Sequence, residues 1–394
     1  MDVGSVQVIL DGLFRINPKY EFVSFEDMSR AESDALGALR VDGDCAGILR
    51  PERHSGLRIK SACSQTAQLL QGLKTAGRLP ENVRGQLAQE GCEPILELLL
   101  DDILQIFRNG RFESGPLVSD LLKPTSPQSG NLGYLASLSR DALQYGQRLA
   151  IDDPQRLAAQ MYFYNRTPVT PQWDRRIGDP AQFERFLGTD RDGRCGQLLR
   201  AGARRIAATQ QSKGWDIWAL KDDDRPHGKT FDYKIYVSPS LEAMPEVLPI
   251  VLEVFFEHRV PLFKVGSNLP GLARPDKIIA YFGNFEQVEA VGARLAERIA
   301  GAPVHGVPFT AELFADGMIS WGMDPHEARM FDWQERASWR VWVAHHLARS
   351  LVDSRRTPNR MIAPWQFALE RLRLDGVDPD TWTPTPVYQD KIQR

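Results

Sequence analysis

The sequence predicts an α+β protein, with a mostly helical N-terminal region over residues 1–150 and a helix-covered, mainly antiparallel small sheet in a domain over residues 151–355. A C-terminal extension over residues 356–394 follows. Three observations predict this. Strand and helix periodicities alternate as β-α-β-β-α after Phe231, the order of a sheet with both helices free to cover one face. Helical spacing dominates the first part of the chain. The composition, 42% apolar and 25% charged over 394 residues, suits globular structure with room for two domains at about 100–200 residues each.

In the N-terminal region the clearest helical patterns run over Ser61–Leu73 and Glu93–Phe107. In the second, Ile95, Leu98, Leu99, Ile103 and Ile106 recur at three- and four-residue steps on one face. Residues 114–131, rich in Pro, Ser and Gly, read as a loop. Gln160–Tyr164 reads as a strand ended by Asn165, and Phe183–Thr209 as a basic helix. Lys221–Gly228, with the run Asp222-Asp223-Asp224, reads as a charged turn; consecutive acids point in different directions, which favours a solvated loop over a metal site.

From Phe231 onward the elements are sharper. Phe231–Ser238 is a strand, and Leu241–His258 is a helix with Leu248, Val251, Leu252 and Phe255 inward. Pro261–Val265 and Lys277–Phe282 are strands. Phe285–Ala300 is a helix whose face carries Val288, Val291, Leu295 and Ile299. A short strand over Met318–Trp321 and a helix from about Phe331 to Asp353 complete the domain.

Several classes are excluded as expectations. A formal charge of −3 gives no case for a nucleic-acid binder. The four cysteines, Cys45, Cys63, Cys92 and Cys195, lack metal-ligand spacing and read as reduced thiols of a cytoplasmic protein. His345 and His346 point about 100° apart on a helix and do not share a metal. Met1-Asp2-Val3-Gly4 lacks the charge and apolar run of a signal peptide, and no stretch approaches about 20 uninterrupted apolar residues, so no membrane span is expected.

Side chains alternate along a strand. Lys234, Tyr236 and Ser238 therefore share one face, and Tyr233, Ile235 and Val237 the face that packs on helices. On the next strand Phe263 and Val265 turn inward and Lys264 projects oppositely. If these strands pair, Lys234, Tyr236 and Lys264 converge, with Arg274 and Lys277 close by. Clustered cations depress one another's pKa, so one lysine can act as a base near neutral pH. That equipment suits removal of the Cα proton of phosphoserine or phosphothreonine while other cations hold the phosphate, with no metal or organic cofactor required. Lysines on strands are also common as solvated edge residues. Trp321 has a core reading beside a groove-lining one, and His258 a helix-capping reading beside a catalytic one.

The stretch Lys234-Ile235-Tyr236-Val237-Ser238, a helix, and then Val260-Pro261-Leu262-Phe263-Lys264 resembles the lyase domain of class III lanthipeptide synthetases. That domain is similar to phosphothreonine lyase effectors. The wider layout resembles the HopA-type effector family, which includes standalone lyases of class V lanthipeptide pathways. It is carried by Tyr162-Phe163-Tyr164-Asn165, Phe263-Lys264-Val265, Arg274–Phe282, Phe309-Thr310, Trp321-Gly322-Met323-Asp324-Pro325 and Ser338-Trp339-Arg340. The resemblance covers residues 160–350. It implies Lys264 as the base and Lys234 as a phosphate ligand that tunes its neighbours. It puts Tyr236 where class III lyases carry a histidine acid, and makes Arg274, Lys277 and Arg340 candidate phosphate ligands.

The function expected from these residues is a phosphoserine/phosphothreonine lyase acting on a ribosomal precursor peptide to give dehydroamino acids. The chain has no GxGxxG, HRD or DFG signature, so a separate kinase partner is expected. A non-catalytic peptide- or partner-binding protein, favoured by Tyr236 in the acid position, is the alternative. A host-directed effector is a third.

Overall fold

Among the described residues, six short strands lie in the N-terminal region, beside helices that include Ser64–Gly72, Glu81–Glu90 and Glu93–Leu100. They are β1 (Phe14–Ile16), β2 (Tyr20–Ser24), β3 (Cys45–Pro51), β4 (Lys60–Cys63), β5 (Leu104–Arg108) and β6 (Arg111–Glu113), and they form two three-stranded sheets, β1-β5-β6 and β2-β3-β4. The computed structural model describes residues 3–35, 45–122, 132–207, 214–221, 231–314, 316–325, 337–355, 362–386 and 388. Helical spacing hides these strands because two periods run together. Asp102, at φ 60°, ends the helix after Leu100, and the Ile103 N–H returns to the Leu98 carbonyl at 2.9 Å. Ile103 and Ile106 then continue the apolar spacing from β5 and its approach rather than from the helix, and Ile106 pairs with Phe14.

Other expectations also change. Gln160–Tyr164 is not a strand. Asp153 caps a helix over Pro154–Tyr162 by accepting from the Gln155 and Arg156 N–H groups, and Leu157, Ala158 and Met161 form its buried stripe. The single helix expected over Phe183–Thr209 is two, Pro180–Leu187 and Arg194–Gly202, because Gly188 adopts the left-handed conformation that ends the first. Within the 114–131 segment, Gly115–Leu121 is a 3-10 helix. Residues 123–131, Asp222-Asp223-Asp224 and 331–336 lie outside the described residues.

The main sheet has seven strands: β7 (Ala203–Arg205), β8 (Trp215–Leu220), β9 (Tyr233–Val237), β10 (Leu262–Gly266), β11 (Ile278–Phe282), β12 (Ala311–Glu312) and β13 (Ile319–Met323). Their order is β12-β13-β9-β11-β10-β8-β7, and every neighbouring pair is antiparallel. A last pair, β14 (Val377–Asp378) and β15 (Thr383–Pro384), closes the C-terminal part.

Helices Met244–Glu257 and Phe285–Arg298 cover one face of the main sheet, packing Leu248, Val251, Leu252, Phe255, Val288, Val291 and Leu295 against Ile235, Val237, Phe263 and Ala280. Each such side chain stabilises the fold by about 1.5–3 kcal/mol when fully buried. A one-residue slip of β9 would drive Lys234 into this layer, so the register is fixed by the helices. The helix Tyr134–Arg148 contributes Ala142 and Leu143 to the same cluster, while the residues before it form a second one. Pro364–Leu374 joins both, with Phe367 in the second and Ala368 and Leu372 in the first. Among the described residues no helix is long and apolar enough to cross a membrane.

Candidate active site

The face of the sheet turned away from those two helices collects the charged strand residues. The register sets Lys264 opposite Ile279, Ile279 opposite Tyr236, and Tyr281 opposite Lys234, so Lys234, Tyr236 and Lys264 lie on one surface with Tyr281 between the lysines. Lys264 Nζ stands 4.4 Å from the centre of the Trp215 ring and 5.7 Å from that of Tyr281, and Lys234 Nζ stands 5.1 Å from Tyr281. Trp215 comes from β8, which pairs with β10 at Gly266.

The two lysines differ in their partners. Lys234 is buried and forms an ion pair with Asp324. Asp324 also accepts the Trp339 N–H at 2.8 Å, so it joins β9 to the start of the helix Trp339–Arg355. Lys264 makes no ion pair among the described residues; aromatic rings surround it instead. Burial, reinforced by the charge of Lys234, lowers its pKa to about 8. Tyr236 is fully buried, and burial raises its phenol well above the usual value.

Arg274 sits at the rim with its guanidinium 4.8 Å from the Trp215 ring. Its Nε and Nη2 donate to Asp276 at 2.9 and 3.0 Å, and Nη2 also donates to the Tyr162 hydroxyl at 3.0 Å. Asp276 is the hub. It accepts from Arg274, from Arg340 Nη1 at 2.7 Å and from the Tyr162 hydroxyl at 2.9 Å. Burial alone would raise its carboxyl, but Arg340 and Arg274 hold it well below the usual carboxylate range.

Lys277 and Arg340 are placed below this surface rather than on it. Arg340 is 1% exposed and spends its other donors on the Pro308 and Tyr162 carbonyls. Lys277 is fully buried and donates to the Pro239 carbonyl and His305 Nδ1, both at 2.7 Å. His305 Nε2 lies 2.5 Å from the Asn165 carbonyl, which can only accept, so Nε2 carries the proton and Nδ1 is the acceptor. Burial lowers Lys277 to about 7; burial and the Lys277 charge lower His305 to about 4.

Lys234, Tyr236, Lys264 and Arg274 are thus brought together, while Lys277 and Arg340 brace the scaffold. Trp321 packs in the core, 4.6 Å from the Phe285 ring, and His258 is the C-cap of Met244–Glu257. Five residues outside the sequence-derived set complete the site: Asp276, Asp324, Trp215, Tyr281 and His305. Asp276 lies between two candidate cations in sequence, which is a usable signal. Trp215 and His305 are remote in the chain and carry none.

No protein-family model and no curated protein matches the chain. Solved structures similar to it include an effector protein from Pseudomonas syringae pv. tomato strain DC3000, with a TM-score of 0.41, 13% identity, and coverage of 64% of this chain and 98% of that one. A second effector protein, from Pseudomonas syringae pv. syringae strain 61, has a TM-score of 0.41, 11% identity, and coverage of 64% and 98%. The type III effector and phosphothreonine lyase OspF from Shigella flexneri has a TM-score of 0.27, 10% identity, and coverage of 34% of this chain and 77% of that one. At these scores the likeness is partial, and the chemistry of the site rests on its own side chains.

Proposed function

We propose that the Lys264 face eliminates phosphate from phosphoserine or phosphothreonine in a ribosomally made precursor peptide, leaving a dehydroamino acid as in lanthipeptide-type biosynthesis. The observation that carries this reading is Lys264 itself. Its amine is partly buried between two rings, has no carboxylate partner among the described residues, and titrates near 8 beside two further cations. Such an amine is available as a base close to neutral pH.

In this reading the neutral Lys264 amine takes the Cα proton, and the C–H electron pair becomes the Cα=Cβ bond. The Cβ–O bond breaks with its electrons moving to the phosphate, which departs as inorganic phosphate. Lys234 and the Nη1 edge of Arg274 hold the phosphate dianion, and Tyr236 is a protonated donor beside them. As the bond breaks the bridging oxygen takes the proton of the Tyr236 hydroxyl, so the dianionic ester departs as hydrogen phosphate. Lys277 and Arg340 act through the scaffold: Arg340 fixes Asp276, which aims Arg274. A separate kinase supplies the phosphorylated peptide.

A second reading, a phosphopeptide-binding protein without turnover, is favoured by Tyr236, whose burial makes it a weaker acid than a free phenol. Incubation with a synthetic phosphoserine peptide, followed by mass spectrometry, separates the two. Loss of phosphoric acid that disappears in Lys264→Ala supports the lyase; tight binding with unchanged mass supports the binding protein.

A further inference from the structure

We infer that Phe163 and Arg166 form a flanking subsite that takes an acidic side chain of the substrate peptide, a few residues from the phosphorylated position. The inference rests on the phosphopeptide reading above and names the neighbourhood that the peptide must present. Phe163 is 43% exposed although it is a large apolar side chain. It stands on the turn after the helix Pro154–Tyr162, edge-on to Tyr162 at 5.3 Å. The Arg274 guanidinium lies 5.7 Å from its ring centre, and that of Arg166 5.9 Å. An exposed aromatic ring between two cations, touching the residue that anchors the phosphate, is the natural continuation of the site.

The turn is fastened rather than loose. Asn165, in a left-handed conformation at φ 65°, donates from Nδ2 to the His305 carbonyl at 2.9 Å and to the Gly306 carbonyl at 3.2 Å. The Thr167 N–H donates to the Ala273 carbonyl at 2.8 Å, and Arg166 Nη2 to the Pro270 carbonyl at 3.0 Å. The presentation of Phe163 and Arg166 is therefore paid for in the fold, which lowers the ordering cost of binding.

Charge decides the occupant. Arg166 is exposed and makes no ion pair among the described residues. Asp276, the buried acid that holds Arg274, is already saturated by Arg340, Arg274 and Tyr162. A glutamate or aspartate side chain completes this arrangement, laying its methylenes on Phe163 and its carboxylate on Arg166. The steps from Lys264 to Trp215, Arg274 and Phe163 measure 4.4, 4.8 and 5.7 Å. Phe163 is then within about 15 Å of Lys264, a span that an extended peptide covers in about four residues.

The test uses phosphoserine peptides that carry Glu, Gln or Lys at the second, third or fourth position on either side of the phosphoserine. Phosphate release is measured by kcat/KM on the wild-type protein, and affinity by fluorescence anisotropy on Lys264→Ala. At one position Glu should exceed Gln by about one-and-a-half- to fivefold in both readouts, with Lys poorest, the range expected of an exposed charge pair. The preference should vanish in Arg166→Gln, shrink in Phe163→Ala and partly survive in Arg166→Lys. Equal handling of all peptides at every position, or a preference unchanged in Arg166→Gln, overturns the inference. If no peptide loses phosphate the lyase reading fails, while the Glu-over-Gln affinity difference still decides the subsite.

Discussion

Lys264 lies in β10 and Lys277 immediately before β11, and their partners give them different work. Lys277 has a carbonyl and a histidine nitrogen as fixed partners and serves as a brace. Lys264 has rings on two sides and is the group free to exchange a proton. Lys264→Ala should therefore reduce elimination by about 10²–10⁴-fold, the usual contribution of a positioned base, measured as single-turnover phosphate release. Asp276 carries the opposite kind of prediction. Asp276→Asn leaves Arg340 buried without its carboxylate, so urea unfolding should show a loss of about 3–5 kcal/mol.

At the scale of elements, Gly322 shows how the helix Trp339–Arg355 reaches the site. A Cβ at Gly322 would stand 2.5 Å from Trp339 Cδ1, so only glycine lets that ring settle over the strand with its indole N–H on the Phe309 carbonyl while the Trp339 backbone N–H reaches Asp324. Gly322→Ala should cost about 1–3 kcal/mol by overpacking, read as a lower urea midpoint. Strands β9, β10 and β11 and the two helices packed on them were legible in the sequence because alternation and the 3.6 period are local and run over five or more residues. The shared face of Lys234, Tyr236 and Lys264 followed from the same alternation. The N-terminal strands were not legible: three-residue strands such as β1 and β6 have no period, and although β6 follows β5 in a hairpin around Asn109 and Gly110, the pairing of β1 with β5 spans the region. The strand expected over Gln160–Tyr164 failed because its aromatic run is the end of a helix set by Asp153 and Pro154, ahead of it in sequence. Trp215 and His305 reach the site only through tertiary pairing, which no local spacing records.

Over the whole molecule His305, Lys264 and Lys277 push stability in one direction. The buried Cys195 thiol and Tyr236 phenol, held above their ordinary values by burial, push the other way above about pH 9. His305 is lowered from 6.5 to about 4, so the unfolded chain binds more protons between those values and stability falls as pH drops from about 6.5 towards 4. Lys277, lowered from 10.5 to about 7, and Lys264, lowered to about 8, make the unfolded chain the stronger proton binder up to about pH 10.5. Stability should therefore rise between about pH 7 and 9, seen as an increasing Tm, and turn down above that as the unfolded chain's thiols and phenols ionise; Lys277→Met should flatten the rise.

In the proposed reaction Lys264 is the proton acceptor in phosphate elimination. The most direct measurement of that role is the rate of phosphate release from a phosphoserine peptide between about pH 6 and 10. The rate should climb with pH, level off above an apparent pKa of about 8, and fall to background across the range in Lys264→Ala. Release by Lys264→Ala at the wild-type rate, or a bound peptide that keeps its phosphate at every pH, would contradict it.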